Sequence, residues 1–364
     1  MCRLGRYEVF AEKEVGVYHV YNRTVRGGFL HGVDPDSGVD HTPRRDRFRD
    51  RMKFLSKFLY VDVLSFAIMS NHWHCVFRNR PDLVEKLTDR EVAVRWLSVL
   101  SRKRVPKKHR GKIQESEIAQ IVNDPKRVAE LRSRLSSISW FVRLMCQTIA
   151  RECNIEDDCT GRFFEERFKL KRLLDEADVL ACMSYVDLNP IRAGLTDSLE
   201  GYLEVSIGER LRTLDDGQID SSSWLAPLEL ASEVDGEKVR VVGTKQAEPL
   251  SANKKQEARR GCLPMRLEAY TSLLWHLALE ARPELQALES LTKQKLQTPI
   301  CLRGEEISIA EFSERNLDLD RRCKTGLGKH TCRVIRERIA AQEAARQKSA
   351  GVGLSPRTIV SSQI

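Results

Sequence analysis

Apolar and polar positions alternate or recur with different periods along the chain, and these periods give an order of elements. Val17 to Val25 runs Val-Tyr-His-Val-Tyr-Asn-Arg-Thr-Val, rich in β-branched and aromatic residues, and Gly27-Gly28 ends it; a first strand is expected there. From Asp46 to Tyr60, Phe48, Met52, Leu55, Phe58 and Leu59 recur at helical spacing among charges, so one stripe can pack on a sheet. Val61 to Met69 is nearly continuously apolar, Ser70-Asn71 breaks it, and His72 to Phe77 follows; together they predict a hairpin of two central strands. Leu135, Ile138, Val142, Met145 and Ile149 mark another amphipathic helix, and Phe163 to Leu174 carries strand-like aromatics among arginines. Asp175 to Asn189 predicts a further helix, with Asp175, Glu176 and Asp178 at its positive end and Pro190 ending or kinking it.

Strand, helix, strand, strand, helix, strand, helix fits an α+β fold: a βαββαβ core with an antiparallel sheet and helices on one face. Residues 81–133 interrupt this order with charged, helix-like sequence. Beyond Leu211 the composition loosens through Asp215-Asp216-Gly217 and Ser221-Ser222-Ser223, so 211–262 is expected to be a linker. A helical C-terminal region of open role is expected over 263–348: Glu268–Leu296 is periodic in Leu, Trp and Ala, and Arg333–Gln347 is a charged helix. The last residues, 349–364, are expected to be a disordered tail.

Charge adds a partner to this picture. Among 364 residues, 61 Lys+Arg against 52 Asp+Glu give a formal charge of +9, which favours a polyanion. Arg102, Lys103, Arg104, Lys107, Lys108, Arg110 and Lys112 form a run without an acid, suited to phosphates or simply to solvent. The ten cysteines show neither Cys-x-x-Cys pairs nor zinc spacing and are expected to be reduced thiols. No apolar stretch reaches the roughly 18 residues of a membrane span, and Met1–Val9 lacks a signal-peptide core, so a soluble cytoplasmic protein is expected.

His72 and His74 flank Trp73 in a predicted strand, so both imidazoles point to one face, the geometry of two adjacent metal ligands or of two hydrogen-bonded histidines on a wet sheet. Tyr185 and Asn189, four apart, share a helix face. If that helix covers the histidine face, a cation can take two imidazoles and the Asn189 carbonyl, leaving positions for phosphate oxygens and water. A phenol with a pKa near 10 is a weak nucleophile at neutral pH, so such a site must favour the phenolate or stabilise its attack. Tyr18, Tyr21 and Tyr60 are expected to be amphipathic packing residues.

Four blocks in order carry a resemblance: Tyr18-His19-Val20-Tyr21-Asn22-Arg23; Ala67-Ile68-Met69-Ser70-Asn71-His72-Trp73-His74; Gly161-Arg162-Phe163-Phe164 with Arg167-Phe168-Lys169; and Tyr185 through Asn189-Pro190-Ile191-Arg192-Ala193-Gly194. Over roughly residues 10–205 the chain resembles the REP-associated tyrosine transposases, single-tyrosine insertion-sequence transposases of the HUH nuclease class. The resemblance implies a catalytic domain over 10–210 with a ferredoxin-like HUH fold, His72 and His74 as the histidine pair, Asn189 as third ligand and Tyr185 as nucleophile. It implies Mg2+ or Mn2+, and single-stranded DNA with a hairpin or palindromic repeat, cut to a 5′-phosphotyrosine and a free 3′-hydroxyl. Arg23, Arg162, Arg167, Lys169 and Arg192 lie in the matched blocks and are candidates for phosphate contact, the alternative being surface ion pairs. A homodimer and association with the nucleoid are compatible expectations. The insertion over 81–133 is longer than the family pattern, and everything beyond about 210 lies outside it. Two other functions fit the same residues: a domesticated nucleic-acid-binding protein without turnover, and a metal phosphodiesterase in which water attacks and Tyr185 packs.

Overall fold

The computed structural model describes residues 13–100, 113–215, 224–228, 233–234, 237–238, 261–263, 265–288, 300–302, 305–307 and 312. It is a mixed α/β structure built on a four-stranded antiparallel sheet. The strands are β1 (Gly16–Arg23), β2 (Val61–Ile68), β3 (His72–Asn79) and β4 (Lys169–Leu173), in spatial order β2-β3-β1-β4. Two crossover helices, α1 (Pro43–Phe58) and α5 (Ile138–Glu156), join β1 to β2 and β3 to β4.

Side chains alternate across the sheet, so each strand feeds two layers. Tyr18 and Val20 of β1, Val63 and Phe66 of β2, and Trp73, Cys75 and Phe77 of β3 bury one face against Phe48, Met52 and Leu55 of α1 and Phe141, Val142 and Met145 of α5. The helical stripes expected from the sequence are the packing faces seen here, except that Phe58 is only half-buried and Leu135 ends the preceding helix, Ser136 and Ser137 separating it from Ile138.

Helices on a single face were expected, but the opposite face is covered too. There α6 (Glu176–Asp187), α8 (Ser206–Asp215) and α9 (Leu267–Ala281) pack over Leu64, Ala67, Met69 and Val76. The physical reason is that β2 is apolar on both sides and β3 adds Val76 to the second face, where a solvated surface could not carry Leu64, Ala67 and Val76 at 0 % exposure.

The register shifts between Val63 and Ser65, and the backbone groups that this irregularity takes out of the ladder are met by α8. Arg210, itself 0 % exposed, donates through Nη2 to Leu64 O at 2.9 Å and Ala226 O at 2.8 Å, while Phe66 N donates to Ser206 Oγ at 3.0 Å. Thus the boundary expected near 210 falls inside α8, and within the expected linker 211–262 the segment Trp224–Leu228 belongs to the core, its Ala226 N–H donating to Val63 O at 2.9 Å.

The insertion folds as α2 (Asp89–Val99), α3 (Glu115–Val122) and α4 (Pro125–Leu135). Thr88 and Glu91 close a capping box on α2, and Val128, Leu131 and Leu135 of α4 join the main core. The basic run 102–112, the charged helix 333–347 and the tail 349–364 lie outside the described residues. Of the strand structure expected from Phe163, Lys169–Leu173 forms a strand and Phe164 an isolated antiparallel bridge to Thr24, while the rings of Phe163 and Phe164 pack against each other and against His31. Cys75, Cys146, Cys153, Cys159, Cys182 and Cys262 are thiols rather than disulfides. No helix among them is long and apolar enough to cross a membrane.

Candidate functional site

The site lies on the sheet face under α6. It begins at the β2–β3 turn, where Met69 N donates to His72 O at 2.8 Å and Thr24 N to Asn71 O at 2.9 Å. The Asn71 side chain is fixed at both ends. Its Nδ2 donates to Gly27 O at 3.0 Å, so Oδ1 is the atom 2.7 Å from His72 Nδ1 and must accept from it. His72 therefore carries its proton on Nδ1 and keeps the Nε2 lone pair. Burial, and then the charge of Arg23, lower its pKa to about 4, so the imidazole is neutral at pH 7.

His74 stands two residues on, its ring centroid 5.1 Å from that of His72, and its Nδ1 lies 3.0 Å from Nε2 of His19 on β1. Burial is the first cause holding both His74 and His19 far below the usual histidine range; Lys171 lowers both further. The rings of His19, Tyr21 and His74 form a stack, at 5.0, 5.2 and 5.4 Å between centroids.

Tyr185 comes to this stack from α6. Asp175 caps that helix by accepting from Asp178 N at 2.7 Å, and Ala177 and Val179 to Asp187 are buried between sheet and C-terminal elements. The Tyr185 ring meets His74 edge-on at 5.5 Å and 89°, and His19 at 6.1 Å, with the Arg192 guanidinium 5.6 Å from its centroid. The phenol residue is 3 % exposed. Leu188 separates α6 from the single turn α7 (Asn189–Arg192), whose first turn holds Pro190 as the missing N–H requires. Asn189, first in that turn, is half-buried, and its Nδ2 has no hydrogen-bond partner.

Positive charge surrounds the imidazoles. Arg23 is paired across the sheet with His72, Lys169 with Tyr21 and Lys171 with His19; Lys169 and Lys171 place Nζ 5.8 and 5.7 Å from the Tyr21 ring centroid. Of the phosphate candidates, Arg23, Lys169 and Arg192 thus meet the histidine and tyrosine cluster. Arg162 and Arg167 are exposed on the loop before β4 and line a separate groove of about 540 Å³ with Phe164, Glu165 and Glu166.

Behind Tyr185 the helix is held by a buried carboxylate. Asp187 accepts from Ser206 Oγ, from Ile207 N at 3.1 Å and from Tyr270 OH of α9 at 2.6 Å, and burial raises its pKa to about 6. Sequence reasoning missed His19, Lys171 and Asn71 as site residues and gave Tyr21 only a packing role. The signal was available in the alternation Val17, His19, Tyr21 against Tyr18, Val20.

No family model and no curated protein matches the chain. A solved structure described as the REP-associated tyrosine transposase bound to a REP hairpin is similar to it, with a TM-score of 0.34 and 11 % sequence identity. The match covers 58 % of this chain and 86 % of that one.

Proposed function

We propose that this chain is a metal-dependent, single-tyrosine transposase of the HUH class that cuts and rejoins single-stranded DNA through Tyr185. One observation carries the reading: the phenol stands edge-on to His74, beside His72, under a guanidinium. The strand order β2-β3-β1-β4 with two crossover helices supports a ferredoxin-like core beneath it.

The residues present fit a divalent cation. His72 offers an Nε2 lone pair, and both imidazoles are neutral at pH 7, so neither must lose a proton to bind. Asn189 has a buried amide end with no protein partner, and a half-turn of the amide puts its carbonyl oxygen there. Among the described residues no group of three His, Cys, Asp or Glu side chains is placed to hold a metal, so the set proposed is two imidazoles and one amide. Imidazole donors favour Mn2+ over Mg2+. A cation held by His72, His74 and Asn189 would offset the negative charge that builds on the phosphate during attack.

The chain's own groups do the rest. Arg23, Lys169 and Arg192 hold the phosphate and orient it for in-line attack, and the Tyr185 phenol gives up its proton to water as it attacks. Its oxygen attacks phosphorus, the bond to the 3′-oxygen breaks, and the products are a 5′-phosphotyrosine and, after that oxygen takes up a proton, a 3′-hydroxyl. The ester retains the bond's free energy, so a 3′-hydroxyl can reverse the step without ATP. Arg162 and Arg167 are proposed to contact flanking phosphates of a hairpin-containing strand. Because α6 lies on its own sheet, the proposed homodimer pairs two complete sites. The working place proposed is the cytoplasm, on the nucleoid.

The near-complete burial of Tyr185 favours a second reading, in which it packs and water attacks. The full chain is incubated with hairpin-flanked single strands and Mn2+ or Mg2+, then run on a denaturing gel. Wild type is expected to form a covalent adduct; Tyr185→Phe is expected to form none and to cut nothing while still binding DNA. Continued cutting by Tyr185→Phe would establish water as the nucleophile, and binding by wild type without cutting or adduct would leave a binding protein.

A further inference from the structure

Resting on the metal-dependent reading above, we infer that His19 is the positioning residue that sets the tautomer of His74 for metal binding. No residue role follows for His19 from its place in the sheet alone; the hydrogen bond gives it one.

A neutral imidazole has one N–H and one lone pair. His74 Nδ1 is engaged by His19 Nε2 at 3.0 Å, so Nε2 is the nitrogen left for an ion. If His19 donated, His74 would hold its proton on Nε2, the ligating atom. Metal binding therefore requires the reverse: His74 Nδ1–H donates, His19 Nε2 accepts, and the proton of His19 sits on Nδ1.

The two histidines of the site are thereby fixed in different ways. His72 has a side-chain amide oxygen as acceptor, and that amide is locked by Gly27 O, so its tautomer is set by the protein alone. His74 has another imidazole as acceptor, which can hold either tautomer. His19 is 0 % exposed, and its Nδ1 has no hydrogen-bond partner. An ion on His74 Nε2 selects the arrangement in which Nδ1 donates, and the His19 acceptor then holds that tautomer and the ring in place. An outer-shell partner of this kind typically changes metal affinity about 10–100-fold.

Glutamine tests this, because its amide can reach the place of Nε2 and, turned the right way, accept through its carbonyl oxygen. Mn2+ binding to the full chain is measured by calorimetry or by electron paramagnetic resonance, without DNA, in wild type, His19→Gln, His19→Leu and His72→Ala, with a thermal melt of each. Expected are binding by wild type that His72→Ala abolishes, His19→Gln within about threefold of wild type, and His19→Leu weaker by about 10–100-fold. Equal affinity in His19→Leu overturns the inference while leaving the metal reading intact. So does His19→Gln as weak as His19→Leu, since that pattern belongs to packing. Wild type showing no Mn2+ binding that depends on His72 overturns the metal reading and this inference together. Should His19→Leu not fold, nitrogen-15 NMR of wild type with Mg2+ decides. A proton on Nδ1 of both His74 and His19 supports the inference, and a proton on Nε2 of His74 ends it.

Discussion

The two faces of β3 share one backbone and do different work. Trp73, Cys75 and Phe77 go into an apolar layer with α1 and α5, all at 0 % exposure, while His72 and His74 go to the other side, among Tyr185, His19 and cations. Alternation at every second residue lets a strand be rigid because of one face and reactive on the other. The apolar layer fixes the backbone from which the imidazoles project, so the spacing of the two rings is set by packing they take no part in. Substitutions one residue apart should then separate stability from chemistry.

The largest effects are expected at that pair. Trp73→Ala removes a fully buried indole and should cost about 3–5 kcal/mol of stability, seen as a lower urea midpoint. His74→Ala should leave most of that stability and lower DNA cutting by about a thousandfold, equivalent to about 4 kcal/mol of transition-state stabilisation. DNA retention at low salt should survive in His74→Ala, because the cations remain. If His74→Ala instead unfolds the chain as Trp73→Ala does, the division between the two faces fails.

A smaller effect is expected behind the tyrosine. Tyr270 of α9 donates to Asp187 at 2.6 Å, one of the bonds that tie α6 to elements beyond residue 205. Above pH 7 the Asp187 carboxyl, with its pKa near 6, is mostly ionised. A hydrogen bond to a charged group contributes about 1.5–3 kcal/mol, so Tyr270→Phe should lower stability at pH 8 by that amount. Chemical denaturation measures it. Unchanged stability would mean that the C-terminal helix covers the site face without holding it.

What the sequence made legible follows from the range of each interaction. The His72-Trp73-His74 alternation and the stripes of α1 and α5 are local periods, and they yielded the sheet, both crossover helices and the histidine pair. The neighbours of those histidines are set by cross-strand register: His19 faces Lys171 and Tyr21 faces Lys169 across β1 and β4, partners that no local period names. Tyr270 and Asp187 lie 83 residues apart, and only packing of α9 brings them together. The aromatic run before β4 misled because Phe163 and Phe164 resemble strand residues, yet beyond one bridge to Thr24 their rings are used to enclose His31.

His31 sharpens the comparison from the packed side. It is a histidine at 0 % exposure with neither ring nitrogen hydrogen-bonded, set among Phe48, Phe163 and Phe164. Burial first, and then Arg44, Arg45, His41 and Arg47, lower its pKa to about 3. The unfolded imidazole takes up a proton near pH 6.5. Below that value the unfolded chain binds more protons than the folded one, so stability falls with pH by up to about 1.4 kcal/mol per unit. The loss continues until the folded-state value near 3 is passed. His31→Leu removes this contribution, so the urea midpoint of the variant should fall less steeply than wild type between pH 6.5 and 4.5. Added Mn2+, which has no ligand to gain at His31, should leave the difference between the two chains at pH 7 unchanged. Equal slopes would show that His31 takes up its proton in the folded state, and that the packed side is open to water there.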